Sequence, residues 1–216
     1  MVVIHAALGM SRDVRAHAQW LASEGFLAVA PDLFYWGKRS RCLFALMRGW
    51  MPGSELDATR QWLVAHPQCT SRIGVIGFCM GGGFALAVAA DHDFDAASVN
   101  YGGLTREVER SLPHACPIVG SFGGDKDRWP GGVRGVPDRI EPILDAAGID
   151  HDIKVYPGAG GTDTSVTRRA NPEVVHTRPI HPQIRAFPPE EVARRPVRGT
   201  LRPWKSCCTR RPGSSR

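Results

Sequence analysis

The stretch that decides the fold is residues 73–83, IGVIGFCMGGG. An apolar run ends at Phe78, Cys79 follows, and a second apolar run continues to Ala90. Residues 73–90 carry no charge. A run of 18 uncharged residues is at the lower limit of length for a membrane-spanning helix. Five of these 18 residues are glycine, however, and a run so rich in glycine makes a poor single helix. We therefore predict a buried strand, a sharp turn at Cys79 and a buried helix that begins at Met80.

Cys79 occupies the nucleophile position of this predicted turn. Gly77 and Gly81 flank it, each with one residue between, which is the G-x-nucleophile-x-G pattern of a strand–turn–helix elbow. A helix that begins beneath the thiol favours the thiolate, and the N–H of Met80 is available to an oxyanion. The alternative is an ordinary buried cysteine in a glycine-rich turn. The pattern lacks the G-K-[ST] ending of a phosphate-binding loop and does not fit G-x-G-x-x-G.

Short apolar runs alternate with helical patterns on both sides of this stretch. We predict strands over residues 2–4, 26–30, 73–78, 96–99, 118–122 and 151–156. We predict helices over residues 11–24, 55–65, 80–90 and 136–147. Alternating helices and continuous apolar strands indicate an α/β domain with a doubly wound, mostly parallel sheet.

The charge of the chain divides it into two parts. The 216 residues carry a formal net charge of +6, and 43% of them are apolar, which suits one globular domain. Residues 161–216 carry a net charge of +8 and eight of the 17 prolines, whereas residues 1–160 carry a net charge of −2. We place a boundary between Gly160 and Gly161, and we expect the basic Pro/Arg-rich tail to be unstructured. Binding of nucleic acid by this tail is the alternative, but no RNA-binding module accompanies the charge.

Cysteine usage and the first residues bear on the compartment. The six cysteines are scattered and form no C-x-x-C pair, which favours a reducing, cytoplasmic setting over a disulfide framework. The pattern of a secretory signal peptide is absent, and we predict no membrane partner. Because the chain begins directly in a strand, we expect further strands upstream of Met1 in the complete protein.

Two acidic residues are candidates for the carboxylate of a catalytic triad. Asp125 and Asp127 both follow the strand predicted over residues 118–122, and they come after the nucleophile in chain order. An acid at the carboxyl end of a strand is where the orienting member of a triad belongs. An ordinary polar turn is the alternative.

Five segments in this order resemble the dienelactone hydrolase family over residues 1–160. They are HAALG (5–9), FLAVAPDL (26–33), GFCMGG (77–82), SVNYG (98–102) and VYPGAG (155–160). The resemblance implies an α/β-hydrolase fold and hydrolysis of a small-molecule lactone or ester by a Cys-His-Asp triad, with no cofactor and no metal. It makes Cys79 the nucleophile and Asp127 the acid. The backbone N–H groups of Met80 and Ala7 would be the oxyanion donors.

Two departures from the family pattern affect the function we expect. Ala6 stands where lactone-cleaving members carry a glutamate, which leaves a broader ester substrate open. The triad histidine of the family follows the Y-P-G-A-G motif directly, but this chain continues with Gly161 and Thr162. A shift of reading frame near Gly160 would account for both this loss and the composition of the tail.

Three functional hypotheses follow from the missing histidine. The chain is a family hydrolase that has lost its base, an active hydrolase that uses another histidine, or a non-enzymatic binder with a basic tail. His176 and His181 in the tail are the candidate replacements, and His5 at the end of the first strand is a weaker one. The oligomeric state is left open.

Overall fold

The computed structural model describes residues 1–47, 49, 51–91, 93–123 and 135–156. Its strands are β1 (Val2–Ile4), β2 (Gly74–Phe78), β3 (Ala96–Asn100), β4 (Ile118–Gly123) and β5 (His151–Tyr156). Its helices are α1 (Arg12–Ser23), α2 (Arg39–Met47), α3 (Gly53–Val64), α4 (Met80–Asp91), α5 (Arg106–Ser111) and α6 (Val136–Ala147). A single 3₁₀ turn (Leu112–His114) follows α5.

The five strands form one parallel sheet in the order β1-β2-β3-β4-β5. Gly77 pairs with both Ile4 and Val99, and Asn100 pairs with Ser121, so the carboxyl ends of neighbouring strands lie side by side. The predicted α/β class with a mostly parallel sheet is confirmed. Loops that follow β1, β2, β3, β4 and β5 therefore all leave the same edge of the sheet.

The strand predicted over residues 26–30 is wrong in extent. Only Val29 pairs, in a parallel bridge with Val2, and its hydrogen bonds are Val3 N–H to Val29 O at 2.8 Å and Val29 N–H to Met1 O at 2.9 Å. The pairing does not continue past Val29 because the next donor to β1 would be the N–H of residue 31, and Pro31 has none. The bridge nevertheless fixes the position of residues 26–30 beside β1, on the side away from β2.

The direction of the connections reverses at β1. From β1 the chain passes through α1 to Val29 on one side, and it returns through α2 and α3 to β2 on the other side. Since connections between parallel strands are right-handed, α1 lies on one face of the sheet and α3 to α6 lie on the other. In open α/β sheets the crevice at such a reversal, outside the carboxyl ends of the strands, is where ligands bind.

Local sequence signals account for the helix ends. Ser11 begins α1, because its Oγ accepts a hydrogen bond from the N–H of Val14 at 3.4 Å. Gly25 follows the end of α1 with a φ of 87°, and Gly148 ends α6 with a φ of 68°. Helix α4 has no polar stripe: Gly81, Gly82 and the residues from Phe84 to Ala89 are all buried, as expected for a helix covered on nearly every side.

Two helices were not predicted from the sequence. Helix α5 is six residues long, which is too short for an apolar period to show, although Thr105 begins it by accepting a hydrogen bond from Val108 N–H at 3.3 Å. Helix α2 lies in a segment without a clear apolar stripe. In the part of the chain that the structure describes, no helix is long and apolar enough to cross a membrane. The predicted boundary at Gly160 and the whole tail lie outside the described residues.

Candidate active site

Cys79 forms the turn between β2 and α4. Its φ is 55°, in the left-handed region that side chains other than glycine rarely adopt. The N–H of Cys79 donates to the carbonyl of Asn100 at 2.9 Å, and the carbonyl of Cys79 accepts the N–H of Gly83 at 3.2 Å as the first bond of the helix. The thiol is half-buried at the carboxyl edge of the sheet, at the N-terminus of α4. This is the elbow geometry that exposes a nucleophile.

The glycines around Cys79 allow the backbone of α4 to come closer to β2 and to the end of β3 than any larger residue would permit. A Cβ on Gly77 would lie 1.9 Å from the carbonyl oxygen of Gly81, so β2 and the first turn of α4 are in direct backbone contact. A Cβ on Gly82 would lie 2.6 Å from the carbonyl oxygen of Asn100 and 2.9 Å from Gly102. Helix α4 therefore begins in close backbone contact with both β2 and the end of β3.

The loop after β1 lies against the same helix N-terminus. A Cβ on Gly81 would lie 2.5 Å from the carbonyl oxygen of Ile4 and 2.7 Å from that of His5. Beyond this contact the chain turns at Ala7, and Gly9, with a φ of 75°, closes the turn by donating its N–H to the carbonyl of Ala6 at 3.0 Å. The predicted oxyanion donors are thus on two segments that meet: Ala7 on this loop and Met80 as the first residue of α4.

His5 is not available as a catalytic base. It is fully buried, and its Nε2 accepts the N–H of Leu33 at 3.0 Å, so this nitrogen carries no proton. The protonated Nδ1 donates to the carbonyl of Ala6 at 2.8 Å. Burial lowers the pKa of His5, which favours the neutral form. Both nitrogens are engaged, and the ring joins the loop after β1 to the segment after Val29.

Phe34 completes this junction between the two segments. Its ring packs edge-on against the ring of His5, with centroids 4.7 Å apart, and it is 8% exposed. The same ring lies 3.2 Å from the Cβ position of Gly9. The turn that carries Ala7 therefore rests on an aromatic side chain rather than on solvent.

The other predicted members of the triad lie outside the described residues. Asp125 and Asp127 fall between the end of β4 and the start of α6, and His176 and His181 fall in the tail. The ends of β4 and β5 are described, and Gly123 pairs with Tyr156 there. Strands β4 and β5 therefore end at the edge of the sheet that holds Cys79. The role of Asp127 stays a prediction.

Two other described cysteines, Cys42 and Cys116, have thiols whose pKa burial raises. Cys42 is fully buried, and burial raises the pKa of its thiol, with a further contribution from the carboxylate of Asp32. Burial raises the pKa of Cys116 to about 12. No disulfide joins the four cysteines in the described part of the chain. Within these residues no group of three His, Cys, Asp or Glu side chains is arranged to hold a metal ion.

Comparison with known proteins identifies the family of this chain. A model of the dienelactone hydrolase family matches residues 1–169. The chain belongs to the dienelactone hydrolase family. The match begins at Met1, includes the elbow and the segments that leave the carboxyl edge, and continues past Gly160. The resemblance inferred from the sequence is thereby confirmed, whereas the boundary at Gly160 stays a prediction.

Individual members of the dienelactone hydrolase family agree with this assignment. A candidate carboxymethylenebutenolidase from Yersinia pestis is 28% identical over 74% of this chain and 66% of its own length. The carboxymethylenebutenolidase of Pseudomonas sp. (strain P51) is 33% identical over 51% of this chain and 53% of its own length. The chain thus spans about two thirds or less of these relatives. The crystal structure of a candidate dienelactone hydrolase from Klebsiella pneumoniae superimposes with a TM-score of 0.65, at 24% identity over 74% of each chain, and shares the fold.

Asn100 is a residue of this site that the sequence reasoning passed over. It is 5% exposed, and its side-chain Nδ2 donates to the carbonyl oxygen of Gly77 at 3.1 Å. The available signal was a polar residue at the end of an otherwise apolar strand, opposite the residue before the nucleophile.

Proposed function

We propose that this chain is a hydrolase of small carboxylic esters or lactones that uses Cys79 as its nucleophile. The observation that carries the proposal is the left-handed turn at Cys79, which holds a half-buried thiol at the N-terminus of α4. Unpaired N–H groups and the helix dipole at this end stabilise a thiolate. Family membership supports the same class of reaction.

The reaction follows from these groups. The Cys79 thiolate attacks the carbonyl carbon, and the negative charge that develops on the carbonyl oxygen is stabilised by the N–H groups of Met80 and Ala7. The C–O bond of the ester then breaks, the departing alkoxide takes a proton from water, and a thioester to Cys79 remains. A water molecule then hydrolyses this thioester, once a base has removed a proton from that water. Asp127 would orient that base.

Completion of the catalytic cycle in this chain depends on a base that can activate water. Gly161 and Thr162 follow the Y-P-G-A-G motif where the family has its histidine, and neither side chain is a base near neutral pH. His5 is excluded by its two hydrogen bonds. We therefore propose that the chain forms the thioester at Cys79 and hydrolyses it slowly, unless His176 or His181 reaches the site.

The test is p-nitrophenyl acetate hydrolysis followed from the first seconds of mixing. We expect a burst of p-nitrophenol stoichiometric with protein, a matching loss of one titratable thiol, and a slow steady state. Cys79→Ala should abolish the burst, and Cys69→Ala is the matched control because Cys69 is also half-buried but lies at the opposite edge of the sheet. A burst that persists in Cys79→Ala would refute the assignment of the nucleophile.

A second candidate function is the binding of small esters without catalysis. The observation that favours it is the same substitution of the histidine position by Gly161, together with the +8 charge of the tail. It predicts neither burst nor steady state, with retained binding of small esters to the elbow. Salt-dependent binding of RNA to the full chain, lost on removal of residues 161–216, would favour a binding role for the tail.

A further inference from the structure

We propose that Asn100 is a positioning residue that holds Cys79 in its reactive geometry, an inference that rests on the function proposed above. Asn100 is the last residue of β3 and pairs with Phe78, the residue before the nucleophile. It is one of three buried polar residues among those that the structure describes, and all three lie toward the carboxyl edge. A polar side chain buried in an apolar sheet needs compensating hydrogen bonds.

Asn100 contacts the elbow on both sides of Cys79. Its side-chain Nδ2 donates to the carbonyl oxygen of Gly77 at 3.1 Å, two residues before the nucleophile. Its own carbonyl accepts the N–H of Cys79 at 2.9 Å. The same carbonyl oxygen lies 2.6 Å from the position that a Cβ on Gly82 would occupy. One residue of the neighbouring strand thus supports the strand end, the nucleophile and the first turn of the helix.

These contacts matter because the turn at Cys79 is strained. A φ of 55° for a residue with a Cβ persists only where the surroundings impose it. The backbone bond from Cys79 N–H is part of the sheet, and any residue at position 100 would provide its acceptor. The side-chain bond to Gly77 depends on the amide of Asn100, and it fixes the carbonyl that precedes the turn. Its loss lets the strand end rotate and moves the thiol away from the helix N-terminus.

Asn100 also donates to the Oγ of Ser98 at 3.3 Å, which provides a matched control. Ser98→Ala removes this second partner but leaves the bond between Asn100 and Gly77 in place. The side chain of Ser98 is half-buried on the same strand, two residues away. A general weakening of β3 would affect both variants, whereas a positioning role is confined to Asn100.

The experiment measures the rate of Cys79 alkylation by iodoacetamide between pH 6 and 9, with peptide mass spectrometry to separate the cysteines. This reaction needs no catalytic base, so the missing histidine does not obscure it. Asn100→Asp keeps the size of the side chain and replaces its N–H donors by an acceptor that faces the Gly77 carbonyl. We expect both Asn100→Asp and the uncharged Asn100→Ala to lower the Cys79 rate about fivefold and to move the midpoint of the rate–pH curve upward, because the thiolate loses the helix N-terminus. A shift in Asn100→Asp alone would reflect repulsion by the new carboxylate and would overturn the inference. Ser98→Ala should react within about twofold of the unaltered chain.

The outcomes separate the inference from the proposed function. If Cys79 of the unaltered chain reacts no faster than the tail cysteines, the proposed nucleophile fails and the inference fails with it. If Cys79 is activated and the folded Asn100→Asp variant has the same rate and midpoint, only the inference is overturned. Urea unfolding identifies a variant that does not fold, and Asn100→Ala, which introduces no buried charge, then makes the comparison. A variant that is less stable but keeps the midpoint at its original pH also overturns the inference.

Discussion

Replacing Gly77 by alanine should break the contact between β2 and α4 on which the elbow depends. The new Cβ would lie 1.9 Å from the carbonyl oxygen of Gly81, whereas ordinary contact begins at 3.4 Å. The first turn of the helix must therefore retreat by about 1.5 Å, a gap that forfeits more than half of the dispersion energy of the contacts it opens. The helix cannot shift without cost, because Gly81 and Gly82 are themselves in backbone contact with β1 and β3.

The magnitude follows from these clearances. Overpacking of a core costs about 1–3 kcal/mol where side chains can adjust, and here the obstacle is backbone, so we expect Gly77→Ala to cost at least about 3 kcal/mol. Gly83→Ala is the matched control, since its Cβ would lie 3.1 Å from the carbonyl oxygen of Gly103. A gain of up to about 1 kcal/mol in helix propensity offsets that contact.

Urea unfolding followed by circular dichroism measures both variants. With a slope near 2 kcal/mol per molar urea, Gly77→Ala should lower the midpoint by about 1.5 M, and Gly83→Ala should change it by less than about 0.5 M. Iodoacetamide labelling of Cys79 should fall in the first variant and not in the second. Equal midpoints for Gly77→Ala and the unaltered chain would refute the close approach, and equal losses in both variants would refute its location.

Three further predictions concern reactivity, pH and turnover. Iodoacetamide at neutral pH should label Cys79 before the tail cysteines, with Cys116, whose pKa is about 12, among the last, and mass spectrometry gives the order. Because burial lowers the pKa of His5 below its usual 6.5, the unfolded chain binds a proton where the folded chain does not; the unfolding free energy in urea should therefore fall as the pH drops below about 6.5, and His5→Gln should flatten that slope. Gly161→His combined with Thr162→Gly should raise steady-state hydrolysis of p-nitrophenyl acetate well above that of the unaltered chain, and an inert, folded product would contradict the hydrolase assignment.

The elbow could be predicted from the sequence because its signals are local. A β-branched run, a cysteine between glycines and an apolar run of helical length lie within 18 residues, and each indicates the same turn. Helix α6 was predicted with its observed bounds for the same reason, since Pro137 and Gly148 mark its two ends. The pairing of Val29 was predicted too broadly, because strand length depends on a partner that is distant in the sequence. Pro31 lacks the N–H that would extend this pairing, so the bridge stops at Val29.

The site required long-range information that no motif carries. His5 appeared as a weak candidate base because it ends a strand near the oxyanion loop, yet its fate depends on the N–H of Leu33, 28 residues away. Asn100 joins the site through Gly77, 23 residues earlier, and in the sequence it is one polar residue in an apolar strand. In both cases a buried polar side chain finds its partner across the fold, because an unpaired one would cost more than the ordering of the segment.

The order of the strands puts the proposed nucleophile and the proposed base on different parts of the fold. Cys79 and the two proposed oxyanion donors lie in the turn after β2, on the loop after β1 and at the start of α4, and the close contacts of Gly77 and Gly81 hold these segments together. In this family pattern the acid and the base come from the segments after β4 and β5, two strands that end at the same edge of the sheet. Under the proposed function, a change after Tyr156 would affect the base and would leave the residues of the elbow unaltered. Alkylation of Cys79 and steady-state turnover consequently report on separate parts of the molecule, and the first should persist where the second has been lost.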